Sequence, residues 1–374
     1  MARRPETRWN EFAQRSLRAP DHDRLVTGPA PQSPLQRAIG SLAHHQPLSA
    51  DDAAEAFGVI MRGEASAVQI AAMLAGLRVR GETSEIVAGV VRALREVMVK
   101  MPAARPEELV DTCGTGGGAV QTFNISTAAA LLAAGAGVRV AKHGNRSFTS
   151  RCGSADVLEA LGVAIEASVP TMTSALEQAG IVFMYAPLMH PAMRHVGPIR
   201  RELGIPTVMN VVGPLANPAG AARQVVGVAD AYRVPILAGA LAELGSHHAM
   251  VVHGEPGLDE ISPLGATHVV EIKGGNSTEW IIEPSAYGYV FADAADLSGG
   301  DPADNARVIT EVLSGRGTEA AKAAVVLNAA AAIYVSGRVR DYSGGVAVAR
   351  AALARGNGLA ALERLRTAYS INSA

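Results

Sequence analysis

Several short stretches of this chain carry side chains suited to handling phosphate. The first is Asp111-Thr-Cys-Gly-Thr-Gly-Gly-Gly-Ala-Val-Gln-Thr-Phe-Asn-Ile-Ser126, which reads as a strand end, a glycine loop and a helix start. Gly114, Gly116, Gly117 and Gly118 allow positive φ and let backbone N–H groups approach a ligand closely. Asn124, Ser126 and Thr127 are N-cap residue types set just before the alanine-rich run 128–134. A helix N-terminus behind such a loop offers free N–H donors and the positive end of a dipole, which suits a phosphate. Neither common nucleotide fingerprint is present. No Gly-Lys-Ser/Thr follows the glycines, and the dinucleotide pattern begun by Gly114-x-Gly116 fails at Ala119. A phosphate loop is expected here, with a plain strand–helix turn as the alternative.

Four further loops could share a site with it. Lys142-His-Gly-Asn-Arg146 places two cations and the Asn145 amide around Gly144, a set that suits a polyphosphate. Asp259-Glu260, after Gly257, can both face a cation that bridges to phosphate oxygens, as Mg²⁺ sites often do. In His190–Arg201, Arg200 can clamp a carboxylate, whereas Arg201 beside Glu202 reads as a solvated face. His190 precedes Pro191 and reads as a helix entry, not as a base. Gly213-Pro214-Leu215 reads as an apolar wall or a hinge. No nucleophile–base set and no zinc-type Cys/His spacing is evident. The inventory points to a transfer in which the substrate brings the nucleophile and the protein stabilises a charged leaving group.

The elements that must position these loops follow from composition and periodicity. The 374 residues are 48 % hydrophobic but only 4 % aromatic, so the core must be packed from Ala, Val, Leu and Ile. A net charge of −2 argues against a large nucleic-acid footprint. Two cysteines, Cys113 and Cys152, argue against a disulfide framework and for a cytoplasmic location. No apolar run is long enough for a membrane span. Residues 1–34, with mixed charges and several prolines, read as a loosely ordered arm. Residues 35–101 read as four helices with no strand between them, the second capped by Ser49 and the fourth started by Thr83 or Ser84. From Leu109 onward, strands alternate with helices: Leu109–Thr112, Val138–Ala141, Val163–Ile165, Ile181–Tyr185, Gln224–Val228 and Ala249–Val252. A late hairpin, Val269–Ile272 with Glu279–Ile282, turns at Gly274-Gly275-Asn276. The fold class is therefore α/β: a helical domain over 35–103, joined in space by part of about 190–220, and an α/β domain over 107–374 with a mainly parallel sheet.

Taken together and in order, Gly114-Thr-Gly-Gly117 with Thr122-Phe-Asn-Ile-Ser-Thr127, Lys142-His-Gly-Asn-Arg146, Gly153-Ser-Ala-Asp-Val-Leu-Glu-Ala-Leu-Gly162, His190-Pro-Ala-Met193, Gly213-Pro-Leu-x-Asn-Pro218 and Gly257-Leu-Asp-Glu260 resemble anthranilate phosphoribosyltransferases over about residues 35–370. The resemblance implies the nucleoside phosphorylase-like fold, transfer of the phosphoribosyl group of 5-phosphoribosyl 1-diphosphate to anthranilate, Mg²⁺, and a homodimer through the helical domain. It places the diphosphate, ribose and 5-phosphate at Gly114, Gly117, Gly118, Thr122, Asn124, Ser126, Thr127, Lys142, Gly144, Asn145, Arg146, Ser150 and Ser154, with Lys142 and Arg146 acting electrostatically and no acid–base residue. It places anthranilate at Gly114, His143, Asn145, Arg200 and Pro214, and the metal at Ser126, Asp259 and Glu260. Two departures stand out: Gly118 where the family usually has Asp, and Pro206 where Arg is usual. A same-fold enzyme using another aromatic amine, or a pyrimidine nucleoside phosphorylase, is the alternative reading.

Overall fold

In a computed structural model of the chain, the described residues are 32–147, 151–291 and 293–371. The arm expected at 1–34 lies outside them apart from its last three residues.

Helices α1 (Pro34–Ala43), α2 (Ala50–Met61), α3 (Ala67–Arg80) and α4 (Ser84–Val97) come first. Each of the last three begins where a hydroxyl accepts an otherwise orphaned N–H. Ser49 and Asp52 form a capping box on α2, Ser66 and Gln69 form one on α3, and Thr83 accepts from Ile86 at α4. Such caps contribute about 1 kcal/mol each. The amphipathic face of α4 buries Ile86, Val87, Val90, Val91 and Leu94.

The chain then alternates through β1 (Val110–Gly114), α5 (Ile125–Gly135), β2 (Val140–Gly144), α6 (Ser154–Ala160), α7 (Val169–Ala179), β3 (Ile181–Tyr185), α8 (Ala186–Met189), α9 (Gly197–Leu203), α10 (Met209–Val212), β4 (Arg223–Gly227), α11 (Val234–Glu243) and β5 (His248–Gly254). The β6 (Thr267–Lys273) and β7 (Asn276–Ile282) hairpin follows, then α12 (Pro302–Leu313), α13 (Glu319–Val335), α14 (Tyr342–Ala354) and α15 (Asn357–Ile371). The sheet order is β3-β2-β1-β4-β5-β6-β7. The first five strands in this order pair parallel, and β6 and β7 pair antiparallel. The carboxyl ends of β1 to β5 therefore share one edge. The strand order reverses between β1 and β4, which is where an open α/β sheet forms its binding crevice.

The expected strand Val163–Ile165 is absent. Both residues are buried, but β2 and β3 pair with each other directly, which leaves no neighbour for an intervening strand. The segment instead joins α6 to α7, whose first turn Ser168 caps. The expected helix from His195 to Leu203 also begins later. A tight turn over Pro191–His195 precedes α9, because Pro198 fits only a first helical turn.

Side chains alternate across the sheet. Val225, Met250, Val252 and Val269 pack in one core with α5, α13 and α15. Val226, Val228, Val251 and Val270 enter another, shared with α1 to α4, α11 and residues 192–216. Helix α11 packs against α4, and a buried ion pair, Arg233 to Glu82 at 3.3 Å, closes the same junction.

Candidate functional site

The glycine loop and the carboxylate loop meet at the switch point. Gly116 and Gly117 take φ of +69° and +79°, which a Cβ would oppose. This turns the Gly116 N–H onto Asp259 Oδ2 at 2.8 Å. The Ala119 N–H donates to the Gly257 carbonyl, and the Ser126 N–H donates to Glu260 Oε1 at 3.0 Å. Glu260 thus does the capping work expected of Asn124, Ser126 and Thr127. Asn124 is the residue at the cap position, but its side chain donates to the Cys152 carbonyl and accepts from Asn305. A carboxylate at that helix end also sits favourably in the helix dipole.

The Lys142-His143 dipeptide divides its chemistry between the two faces of the sheet. Both belong to β2, not to a loop, so adjacent side chains point oppositely. Lys142 is buried on the α5 side and donates to the Thr112 carbonyl at 2.5 Å and to Ser126 Oγ at 3.3 Å. Burial lowers its pKa, while Asp111, Cys113 and Glu260 support its charge. His143 lies on the other side, its ring 4.9 Å from that of His190. Burial, with each other's proximity for His143, pushes His143 down to about 3 and His190 down to about 4, so both are neutral. His143 Nε2 and both His190 ring nitrogens make no hydrogen bond of normal geometry. Pro214 covers the neighbouring strands through its carbonyl, which accepts from Cys113 Sγ at 3.6 Å and Gln224 Nε2 at 2.9 Å.

Arg146 is engaged. It pairs with Asp156 at 2.8 Å and Glu159 at 2.9 Å and donates to the Tyr185 hydroxyl, contacts that hold its pKa above the ordinary value. Ser154 Oγ donates to the Asn145 carbonyl, and Asn145 Oδ1 accepts from the Arg146 N–H. Ser150 lies outside the described residues. Thr122 pairs as an isolated bridge with Ser298, and Gly144 packs against Ser154. Thr127 is buried with an unpartnered Oγ1. Arg200, on α9, is half-buried and has no ion-pair partner among the described residues, and burial lowers its pKa. No hydrogen bond links it to His143, Asn145 or Pro214 among those residues.

Asp259 and Glu260 suit a divalent cation. Burial raises both pKa values, and Asp259 adds to the rise at Glu260, which reaches about 8. A cation would relieve that repulsion. Glu260 Oε2 makes no hydrogen bond among the described residues. Those residues assemble no group of three or more His, Cys, Asp or Glu able to hold a metal. A cation here would therefore complete its shell with substrate oxygens and water, as Mg²⁺ does. The third expected ligand, Ser126 Oγ, is engaged by the Lys142 ammonium.

Residues 106–359 match the glycosyl transferase family α/β domain, and residues 36–98 match that family's helical bundle domain. The anthranilate phosphoribosyltransferase of Rubrobacter xylanophilus is 50 % identical over 330 residues, covering 88 % of this chain and 96 % of the relative. That of Anaeromyxobacter dehalogenans is 48 % identical, covering 89 % and 97 %. This chain belongs to the anthranilate phosphoribosyltransferase family. The crystal structure of the Thermus thermophilus member superposes with a TM-score of 0.84 at 41 % identity, covering 89 % of this chain and 99 % of that one. The Saccharomyces cerevisiae member, solved in complex with PRPP and Mg, gives 0.81 at 29 % identity, covering 90 % and 98 %. The nucleoside phosphorylase reading is not favoured. Against the family pattern, Gly118 faces the carboxylates: a Cβ there would stand 3.0 Å from the Gly257 carbonyl oxygen and 3.4 Å from Asp259 Oδ1. Pro206 is exposed, and nothing in its surroundings explains it.

Two residues that hold this site were given no part in it by the sequence, although Asn328 stands out there as the polar residue of a buried helix. Asn328, alone in an apolar helix, accepts the Ile261 N–H and donates to the Ile261 carbonyl, both at 2.9 Å, and so fixes the carboxylate loop. Arg95, partly buried on α4, donates twice to the Leu215 carbonyl. An isolated polar residue in an apolar run was the available signal for Asn328. Arg95 sits among other helix charges and gave none.

Proposed function

We propose that this site transfers the phosphoribosyl group of 5-phosphoribosyl 1-diphosphate to the amino group of anthranilate, releasing pyrophosphate and N-(5-phosphoribosyl)anthranilate in tryptophan biosynthesis. The observation that carries the reading is the joining of the glycine loop, the start of α5 and Asp259-Glu260 by direct hydrogen bonds at the switch point. The N–H groups of Gly117 and Gly118, which make no hydrogen bond among the described residues, line the diphosphate and ribose with Thr122, Asn124, Ser126 and Thr127. Lys142 supports the same anion from below. Arg146 exchanges an exposed carboxylate partner for phosphate oxygens, with Gly144, Ser150 and Ser154 beside it. Asp259 and Glu260 would hold Mg²⁺, which would supply charge neutralisation to the leaving group.

On the opposite side, Arg200 meets the acceptor carboxylate with a guanidinium that has no competing ion pair among the described residues. His143, Asn145, Gly114 and Pro214 shape the rest of that pocket. The aniline nitrogen already carries a free lone pair, so no strong base is required. Exposed Val68, Ala72 and Val79, with the half-buried Ala75, make an apolar stripe at helical spacing on α3, which favours a homodimer through the helical region. A cytoplasmic setting fits two cysteines that form no disulfide among the described residues. The test is the fluorescence of anthranilate with added 5-phosphoribosyl 1-diphosphate and Mg²⁺. Its loss supports the reading, and unchanged fluorescence with active-site-titrated protein rejects it.

A further inference from the structure

Asp111 is fully buried near the start of β1 and makes no direct ion pair among the described residues. Its Oδ1 accepts the His143 N–H at 3.2 Å, and its Oδ2 accepts Asn217 Nδ2 at 2.7 Å. Asn217 is buried too, and its amide is fully used. Nδ2 also donates to the Ala141 carbonyl at 2.9 Å, while Oδ1 accepts the N–H groups of Ala219 and Ala221. The pair therefore ties β2, just ahead of Asn145, to the loop that carries Gly213 and Pro214. A buried carboxylate without a salt bridge is a poor way to gain stability. Burial alone pushes Asp111 up to about 6, despite Lys142 and these donors. An apolar pair of the same volume would strip the His143, Ala219 and Ala221 N–H groups and the Ala141 carbonyl of these partners, so the polar pair holds a geometry.

We propose that Asp111 and Asn217 are positioning residues that set the spacing between the His143–Asn145 strand end and the Gly213–Pro214 loop, and thereby the width of the acceptor pocket. The proposal rests on the acceptor binding between those segments, as argued above. Neither residue touches substrate. Their effect passes through the His143 backbone on one side and through the turn at Asn217 on the other. The phosphate side is held by Lys142, the glycine loop and Glu260, and meets the pair only through the charge that Asp111 lends to Lys142.

The test is a reciprocal swap in the full-length enzyme. Asp111→Asn sets an amide donor against either Asn217 Nδ2 or the His143 N–H. Asn217→Asp sets two carboxylates together. Asp111→Asn with Asn217→Asp restores the bond between the two side chains and gives up the Asn217 Nδ2 contact to Ala141. We expect each single variant to raise KM for anthranilate at least about tenfold while KM for 5-phosphoribosyl 1-diphosphate stays within about twofold, and the swap to recover most of that loss. Equal rises in both KM values, or a swap no better than the worse single variant, would overturn the proposal. If Asp111→Asn does not fold, Asn217→Ser, which gives up the Asp111 link together with the Ala141, Ala219 and Ala221 contacts, is measured instead, and the same split between the two KM values decides. Wild-type protein inactive with anthranilate would instead strike at the functional reading itself.

Discussion

Replacing Gly227 by Ala tests whether the carboxylate loop must sit where it does. Gly227 ends β4 under Asp259, and a Cβ there would lie 1.7 Å from the Asp259 carbonyl oxygen, 2.5 Å from its carbonyl carbon and 3.3 Å from its Cα. All three are backbone atoms, so no rotamer change relieves the clash. Real Cβ atoms essentially never come within 3.0 Å of such a neighbour, so a gap of about 1.3 Å must open. The loop cannot yield evenly. Asn328 holds it at Ile261, and the Leu258 carbonyl accepts the Gly254 N–H. The shift therefore falls on Asp259 and Glu260 and strains the 2.8 Å and 3.0 Å bonds to Gly116 and Ser126. Overpacking of this kind costs roughly 1–3 kcal/mol of stability. A displacement of about 1 Å at a reacting centre costs about 10²-fold in rate. Initial rates of anthranilate fluorescence loss across an Mg²⁺ titration, with thermal melts, measure both. Gly40→Ala is the control, since a Cβ there meets nothing within 4 Å and the position is helical. A folded Gly227→Ala enzyme with kcat/KM within about threefold of wild type would refute the reasoning.

Further outcomes follow from the same geometry. Glu260 is pushed from the ordinary 4.5 up to about 8, so the folded chain holds its proton more tightly than the unfolded chain. Its contribution is then intact below about pH 4.5, falls as pH rises to about 8 and is flat above. Glu260→Gln in metal-free buffer should raise Tm relative to wild type increasingly across that window while abolishing Mg²⁺-dependent turnover, and a pH-independent Tm difference would contradict the assignment. Asn328→Ala strips the Ile261 N–H and carbonyl of their buried partners, at about 1–3 kcal/mol each, and should raise the Mg²⁺ needed for half-maximal rate; a Tm loss with an unchanged Mg²⁺ titration would show that the clamp is structural only. Gly118→Asp adds a third carboxylate beside Asp259 and should lower the Mg²⁺ requirement, and superimposable titrations would count against it. Val68→Asp with Val79→Asp, at positions 78 % and 86 % exposed, should dissociate the proposed homodimer in sedimentation without unfolding α3, and an unchanged oligomeric mass would remove that stripe from the interface.

Much of the local architecture was legible because it depends on near neighbours. Ser49 with Asp52, Thr83 before Ile86, and the glycines at 274 and 275 are signals a few residues long, and each sits where the spacing placed it. The short apolar run Val163–Ile165 misled for the same reason: a strand needs a hydrogen-bonding neighbour, and only the sheet order says whether one is available.

The sequence by itself determined that this chain carries a glycine loop before a helix, a basic strand end, a paired-carboxylate loop and Arg200 on a short helix, within helical and α/β regions. Spacing along a few residues is enough to specify each. Tertiary structure alone decided how they combine. The pleat of β2 sends Lys142 to Ser126 at the start of α5 and His143 to His190 on the opposite face, although they are adjacent. Glu260 caps α5 across 134 residues, and Asn328 grips Ile261 across 67. Such contacts depend on strand order and register, which are set by burying two cores on opposite faces of one sheet and leave no mark in any short window of sequence.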